Sequence, residues 1–386
     1  MLCLINFRKG TNRDELDQFY EAMNGQNALA AVTPGAFSKA RKKLRHEALI
    51  KLNQQGLAVF SNHFALLRWH GFRVLAVDGS TARLPVKEDI ASWFGGPSGA
   101  SCPMARMSRL YDVMNKFVVD AALEPYDTGE REIAARHLYE TDADDLLIYD
   151  RGYPAFWLFS MHRDMQRHYC ARLSVSFSKQ IEDFVASGLR TQLVDMTANA
   201  QARAQCEEYN LSAAPVKVRL VRVELKSGEV EVLATSLLDS TDYPSHWFKK
   251  LYHLRWGVEE HYKREKSRLE IENFSGRSVL VVRQDFHAKV FMHNLAAMLV
   301  WVGQAIADRL YRHRRHGYQV NFADALSKMK NHLIRLLTQS TPWDQLLRLL
   351  TQFVDAVEAI RSDRSYPRNL RKIKLQGFQC NYKRTR

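Results

Sequence analysis

Hydrophobic and polar positions follow different rhythms along the chain, and each change of rhythm marks a change of structure. Up to about residue 70 the rhythm is helical. After a turn signal at Thr33-Pro34-Gly35, Phe37, Ala40, Leu44 and Leu49-Ile50 recur at helical spacing, with Lys39, Arg41, Lys42, Lys43 and Arg45 at positions between them. At Gly71 the rhythm becomes that of strands. Phe72-Arg-Val-Leu-Ala-Val-Asp78-Gly-Ser80 is an apolar run that ends in a carboxylate and a turn, the pattern of a buried strand whose C-terminal end opens into a cleft. Tyr111 to Asp120 predicts a second strand region. Asp145-Leu-Leu-Ile-Tyr-Asp150-Arg-Gly152 then repeats the order strand, carboxylate, turn, and a helix begins at Ala155 to Met161. Two apolar strands thus each deliver an aspartate at the exit.

Residues from about 170 to 240 read as a strand-rich insertion. Val216, Val218 and Leu220 alternate on one phase and Val221, Val223 and Leu225 on the other, a slip that predicts a β-bulge. Ser227-Gly228 makes a hairpin turn into Val230, Val232 and Leu233. Helical periodicity resumes near Ser245 and continues most of the way to Arg361, with a basic tail from Arg361 to Arg386.

Composition narrows the class. At 386 residues there is room for two or three domains of ~150 residues. With 46% hydrophobic and 25% charged residues, a wholly disordered or fibrous chain is excluded. The formal net charge of +14 favours a polyanionic partner, nucleic acid before an acidic membrane. That surplus is local. Ala36 to Lys51 holds six basic residues and one acid, and Arg361 to Arg386 holds nine and one, so the two segments carry 13 of the 14 surplus charges. The first segment reads either as a solvated amphipathic helix or as a DNA-contacting one. Cys3, Cys102, Cys170, Cys206 and Cys380 form no CxxC pair, so neither a zinc site nor a disulfide framework is signalled. Met1 to Phe7 meets Arg8 and Lys9 too soon for a secretory signal, and the apolar stretch Leu295 to Val302 lies between Asn294 and Gln304, short of the ~20 residues of a membrane span. The expectation is a soluble, cytoplasmic protein without a membrane partner.

Near residue 250 one helix face concentrates chemistry. At about 100° per residue, Tyr252, Arg255, Glu259 and Lys266 share an arc of about 60°. Leu251, Val258, Tyr262 and Leu269 form an apolar stripe beside them. As i,i+4 surface pairs these groups contribute only ~0.3 to 0.5 kcal/mol each. Together with the strand-end aspartates they offer more: Asp78, Asp150 and Glu259 supply oxygen ligands for two hard divalent cations, and Arg255 and Lys266 suit phosphate oxygens.

The spacing Y-x2-R-x3-E-x6-K of Tyr252, Arg255, Glu259 and Lys266 resembles the signature of bacterial insertion-sequence transposases of the DDE class, the insertion-sequence-four family. Ala76-Val-Asp78-Gly-Ser-Thr81 resembles the first acidic motif of that family, Ile148-Tyr-Asp150-Arg-Gly-Tyr153 its second, and Leu233-Ala-Thr-Ser-Leu237 the segment leading to its third region. The match runs from roughly residue 70 to 300. The resemblance implies an α/β fold with a ribonuclease-H-like catalytic core, interrupted by a β-rich insertion and flanked by helical N- and C-terminal regions. On that view residues 1–70 are a helical DNA-binding region, 71–170 the first part of the core, 171–240 the insertion, 241–300 the last part with the Tyr-Arg-Glu-Lys helix, and 301–386 a helical C-terminal region with the basic tail. It also implies cut-and-paste DNA transposition with two Mg²⁺ or Mn²⁺ ions, double-stranded DNA partners (the element's terminal inverted repeats and target DNA), and a homodimer in the DNA complex. A bacterial, nucleoid-associated location when DNA-bound would follow. Asp78, Asp150 and Glu259 would be catalytic metal ligands. Tyr252, Arg255 and Lys266 would position the DNA end, with Lys39, Arg41, Lys42, Lys43, Arg371 and Lys372 as further DNA contacts.

Other residues compete less well. Asp120 also ends an apolar strand but lacks a following glycine. Asp144 and Asp145 read as turn or cap residues. The histidines of Arg312-His-Arg-Arg-His316 sit among arginines, which favours a solvated or phosphate-facing loop over a metal site, and Trp247 and Trp256 read as packing residues rather than base-stacking ones. The alternatives to an active transposase are a catalytically inactive DNA-binding derivative and a two-metal nuclease without strand transfer.

Overall fold

The computed structural model describes residues 1–5, 11–24, 32–225, 227–258, 271–338 and 342–360. Glu259, Lys266, Arg371 and Lys372 lie outside the described residues. The chain divides into two compact units, one of Met1–Phe64, Thr81–Ala105 and Lys263–Arg386, the other of Ala65–Ser80 and Arg106–Tyr262.

The second unit is a mixed α/β body built on a sheet. Its strands are β1 (Arg73–Arg83), β2 (Met104–Asp112), β3 (Phe117–Pro125), β4 (Asp145–Tyr149), β5 (His168–Leu173), β6 (Thr191–Met196), β7 (Val216–Glu224) and β8 (Val230–Thr235), the far end of β1 and the start of β2 passing into the first unit. Among the described residues the eight strands run in the order β3-β2-β1-β4-β5-β8-β7-β6. β1 and β5 flank β4 in parallel; β8, β7 and β6 continue the sheet antiparallel. The strands from the expected insertion therefore extend the same sheet.

Both faces are covered. Leu75, Val77, Leu147 and Tyr149 pack on one side with Trp157, Leu158 and Ala134, while Val74, Leu146, Ile148 and Cys170 pack on the other with Phe248, Leu251 and Tyr252. This two-sided burial explains the apolar phase change in β7. Val216, Val218 and Leu220 enter the first layer and Val221 and Val223 the second, while the pairing from Arg219↔Thr235 to Glu224↔Val230 runs without interruption. The expected bulge is absent from β7 because both phases are core. The region Tyr111 to Asp120 is likewise two strands rather than one. Asp112 breaks it, its Oδ1 accepting the Met114 and Asn115 amides at 3.1 and 2.9 Å, and Lys116 follows with φ +64°.

Register between β1 and β4 is set at their first residues. Arg73 lies opposite Asp145 and donates to both carboxylate oxygens, Nε to Oδ1 and Nη2 to Oδ2, each at 2.6 Å. Asp145 is fully buried and also accepts the Asp142 amide at 2.8 Å, so it both caps a turn and holds an ion pair.

The first unit is helical, organised along Val279–Leu310, with Glu47–His63 and Pro342–Asp355 packed on it. A small antiparallel pair, β9 (Tyr318–Val320) with β10 (Val357–Ala359), interrupts the expected run of helices. Val279–Leu310 is long and apolar enough by composition to cross a membrane, longer than the Leu295 to Val302 stretch indicated. It carries buried Gln284, Asp285, His287, His293 and Asn294, however, which suits the core helix of a folded unit.

The basic stretch Ala36 to Lys51 is not one helix. Thr33 caps the start of Pro34–Arg41, its Oγ1 accepting the Ala36 amide at 3.2 Å. The helix stops at Arg41, whose carbonyl accepts the Leu44 amide at 3.0 Å and the Gln284 side-chain amide at 3.1 Å; Gln284 also donates to the Leu44 carbonyl, and a second helix begins at Glu47. Arg41 points inward, which removes it from the expected DNA contacts. Its Nη2 meets Asp285 Oδ1 at 2.6 Å and its Nη1 meets Ser275 Oγ at 2.5 Å, with side-chain exposures of 5% for Arg41 and 2% for Asp285. Lys39, Lys42 and Lys43 remain exposed. Removing one partner of a buried pair strands the other charge, so Arg41→Met should cost about 3 kcal/mol in urea unfolding. Unchanged stability with weakened DNA binding would return Arg41 to the surface role.

Candidate functional site

The parallel register Ala76↔Ile148, carried two residues further, brings Asp78 and Asp150 to neighbouring positions, Asp150 just past the end of β4 and Asp78 in the middle of β1, where its pairing with β4 has ended. β1 itself runs on to Arg83, so the turn expected at Gly79-Ser80 gives way to continued strand. Alternation puts both side chains on the face that holds helix Trp247–His253, since Val74, Leu146 and Ile148 pack there. The two aspartates are thus brought together, and both are half-buried. Glu259 and Lys266 lie outside the described residues.

Around Asp150 the structure assembles a cationic and aromatic cage. Arg172 on β5 donates from Nη2 to Asp150 Oδ1 at 2.7 Å and from Nη1 to Glu231 of β8 at 2.7 Å. The Tyr252 hydroxyl donates to the same Asp150 oxygen at 3.2 Å. The Arg255 guanidinium lies 5.8 Å from the Tyr252 ring centroid and 5.4 Å from that of Trp256, within cation–π range. The helix that presents Tyr252 ends at His253, and the chain turns at Leu254 and Arg255 before helical geometry resumes at Trp256. Tyr252 and Arg255 therefore approach Asp150 across a turn rather than from one continuous helix face.

This cage sets the charge state of the site. Partial burial pushes the Asp150 carboxyl up, but the Arg151 backbone amide, Arg255 and Arg172 outweigh it and hold the group below its ordinary value. Tyr252 moves the other way: burial, with the nearby Asp150 charge, raises its hydroxyl against the opposing pull of Arg255 and Arg172. Arg172 stays charged, because Glu231, Tyr252 and Asp150 overcome its own desolvation. An ionised carboxylate beside a second one, both offering oxygen donors, suits a hard divalent cation. Among the described residues no group of three His, Cys, Asp or Glu side chains forms a metal-holding set, so the described part of the site supplies two such donors.

Arg172 and Glu231 were missed in the motif reading. Each has one signal, a charged residue inside a largely apolar strand: Arg172 in His168-Tyr-Cys-Ala-Arg-Leu173 and Glu231 in Val230-Glu-Val-Leu-Ala-Thr235. Asp120, the competing carboxylate, stands on β3 with β2 between it and β1, and its Oδ2 meets His137 Nδ1 at 2.6 Å. Trp247 stacks on His70 with ring centroids 3.7 Å apart, whereas Trp256 is about half exposed. His313 and His316 are exposed among arginines, with Arg314 4.3 Å from the Tyr311 ring.

Residues 69–295 match the family described as Transposase DDE domain. The chain belongs to the DDE transposases, and within them to the insertion-sequence-four type. It is 25% identical over 272 residues to transposase InsG for insertion sequence element IS4 of Escherichia coli (strain K12), covering 68% of this chain. The chain spans 60% of that relative's length. A cryo-EM structure of the piggyBac transposase synaptic complex with hairpin DNA aligns at 9% identity and a TM-score of 0.39, covering 73% of this chain and 57% of that one, too distant a likeness to carry argument.

Because Asp150 is held low, the stability it contributes is present above the ordinary carboxylate range and is lost as pH falls through the depressed value. Arg172→Ala should raise the Asp150 titration toward that range in a carbon-13 NMR titration, and the variant should lose less stability on acidification than the parent. An unmoved Asp150 titration would remove Arg172 as its partner.

Proposed function

We propose that the chain is the transposase of a bacterial insertion sequence, acting on the terminal inverted repeats of its element and joining them to target DNA. The observation that carries this reading is the placement of Asp78 and Asp150 on adjacent parallel strands, just beyond the last paired residues of β1 and β4, with Tyr252 and Arg255 of the family signature gathered at Asp150. A parallel β1-β4-β5 set bordered by β2 and β3 is also the arrangement that a ribonuclease-H-like core would have, and supports that assignment.

In this reading Asp78, Asp150 and Glu259 hold two Mg²⁺ or Mn²⁺ ions. Bound there, the ions would lower the pKa of the attacking water or hydroxyl and stabilise the leaving oxygen. Asp150 stays ionised because of its cationic neighbours. Arg172 shares its charge between Asp150 and Glu231, so Glu231 retains the guanidinium when Asp150 turns to a cation. Arg255 and Lys266 meet the phosphate oxygens of the DNA end, and Tyr252 orients the Asp150 carboxylate. Cleavage breaks the bond between phosphorus and the 3′ oxygen with water as nucleophile; in transfer, the freed 3′-hydroxyl displaces a 3′ oxygen of the target strand. Two ends joined in concert fit a homodimer on DNA.

The test is incubation of the purified chain with Mg²⁺ and a linear DNA carrying the element's end. End-specific nicks and joined products are expected. Nicking alone would make the chain a two-metal nuclease, and binding without either product an inactive derivative. Asp78→Asn, Asp150→Asn and Glu259→Gln should each slow cleavage by about 10³-fold or more while DNA affinity is kept, the equivalent of several kcal/mol of charge stabilisation. Cleavage surviving in any of them removes that residue from the metal set.

The basic tail carries a separate prediction. Each phosphate contact contributes about 0.9 to the slope of log affinity against log salt. Deleting Arg361 to Arg386 should flatten that slope in fluorescence anisotropy, and an unchanged slope would exclude the tail from the DNA contact.

A further inference from the structure

Beneath the middle of β1, on the opposite face of the sheet from the Asp78 carboxylate, lies a second polar constellation that the site above does not use. Ser108 of β2, His137 at the end of helix Glu130–His137 and Asp120 of β3 stand in line. Asp120 Oδ2 is 2.6 Å from His137 Nδ1, His137 Nε2 is 2.9 Å from Ser108 Oγ, and Ser108 Oγ is 3.4 Å from the carbonyl oxygen of Asp78. A serine hydroxyl has one proton, so for Ser108 to donate it to the Asp78 carbonyl, His137 must donate to Ser108 Oγ from Nε2 while Nδ1 donates to the Asp120 carboxylate. The order Ser, His, Asp is that of a nucleophile triad, but both Ser108 and His137 are only 1% exposed, which closes the hydroxyl to any substrate. What the serine does reach is the backbone of Asp78.

The other end of the same helix touches the next residue. The Glu130 carboxylate, paired to Arg106 Nη1 at 2.8 Å, lies so close to Gly79 that a Cβ there would come within 2.8 Å of Glu130 Cδ. Helix Glu130–His137 therefore fixes Asp78 through its last residue and Gly79 through its first, and Ala134 and Ala135 seat its middle on Leu75 and Val77 of β1. A buried, satisfied polar chain of this kind makes a local geometry rigid.

We infer that Ser108, His137 and Asp120 are positioning residues for the cation-binding carboxylate of Asp78, acting through its main chain from the far side of the sheet; the inference rests on the reading of Asp78 as a metal ligand. The line transmits position rather than chemistry. Disturbing the groups behind a metal ligand typically costs 10- to 100-fold in metal affinity or activity, so an effect of about that size is expected here.

The experiment titrates the full-length chain with Mn²⁺ alone, following free Mn²⁺ by electron paramagnetic resonance, for the parent, Asp78→Asn, Ser108→Ala, His137→Gln and Asp120→Asn, with thermal unfolding and DNA affinity measured alongside. Ser108→Ala and His137→Gln should weaken Mn²⁺ binding about tenfold or more and slow cleavage to match, at unchanged DNA affinity and with folding retained. Asp120→Asn keeps an acceptor for Nδ1 and should fall between them and the parent. Parental Mn²⁺ affinity in folded Ser108→Ala and His137→Gln, with Asp78→Asn defective, overturns the inference alone. A loss that tracks loss of the folded state also overturns it, since that is a packing effect. Parental Mn²⁺ affinity in Asp78→Asn brings down the metal reading itself, and the positioning role with it.

Discussion

Everything at the site depends on one ion pair at the far end of the strands that carry it. Arg73 grips Asp145 through two hydrogen bonds at the first residues of β1 and β4. Side chains in a strand alternate with a period of two, so a slip of one residue would turn Asp150 to the opposite face from Asp78. A bidentate, buried pair has one geometry in which both bonds form, and it excludes neighbouring registers strongly. Hydrophobic side chains alone would not: Val74, Leu75, Leu146 and Leu147 are apolar on both faces, and a slipped pairing would still bury them. The charged pair supplies the specificity that the apolar run lacks.

The same sheet shows how a core with two covered faces keeps its charges useful. Asp78, Asp150, Arg172 and Glu231 stand where the β1–β4 pairing, β4 and β5 end and β8 begins, at the margin of the buried layer, so each charge is partly solvated and each has a partner or a neighbour in reach. Deeper burial would force Asp150 toward its neutral form; full exposure would dilute the influence of Arg172 and Arg255. The half-buried position holds the carboxylate charged and oriented together.

The parts of this arrangement that are local in sequence could be read from it. An apolar run, an aspartate and a turn describe the exit of β4, whereas at β1 the same pattern marks only the end of buried apolar positions, since the strand continues through Gly79 and Ser80 to Arg83. Helix Glu47–His63 and the hairpin at Gly228 follow from periodicity and turn chemistry, whereas the gathering of Met1–Phe64, Thr81–Ala105 and Lys263–Arg386 into one unit does not. What escaped was non-local. Arg172 lies 22 residues from Asp150 in sequence and reaches it only through β4–β5 pairing. Arg41 looked like one of several basic residues on a solvated helix, and only Gln284 and Asp285, more than 240 residues away, turn it inward. The bulge expected in β7 came from assuming one dry face; the structure has two.

Helix Val279–Leu310 has a mechanical meaning as well as a packing one. Its 32 residues make a rod of about 48 Å at 1.5 Å per residue. The Arg41 network clamps its first turns, and Gly303, whose Cβ would lie 3.5 Å from that of Phe353, meets helix Pro342–Asp355 near its other end. The rod is therefore pinned within its own unit near both ends, at one by a buried charge and at the other by a close approach of two helices.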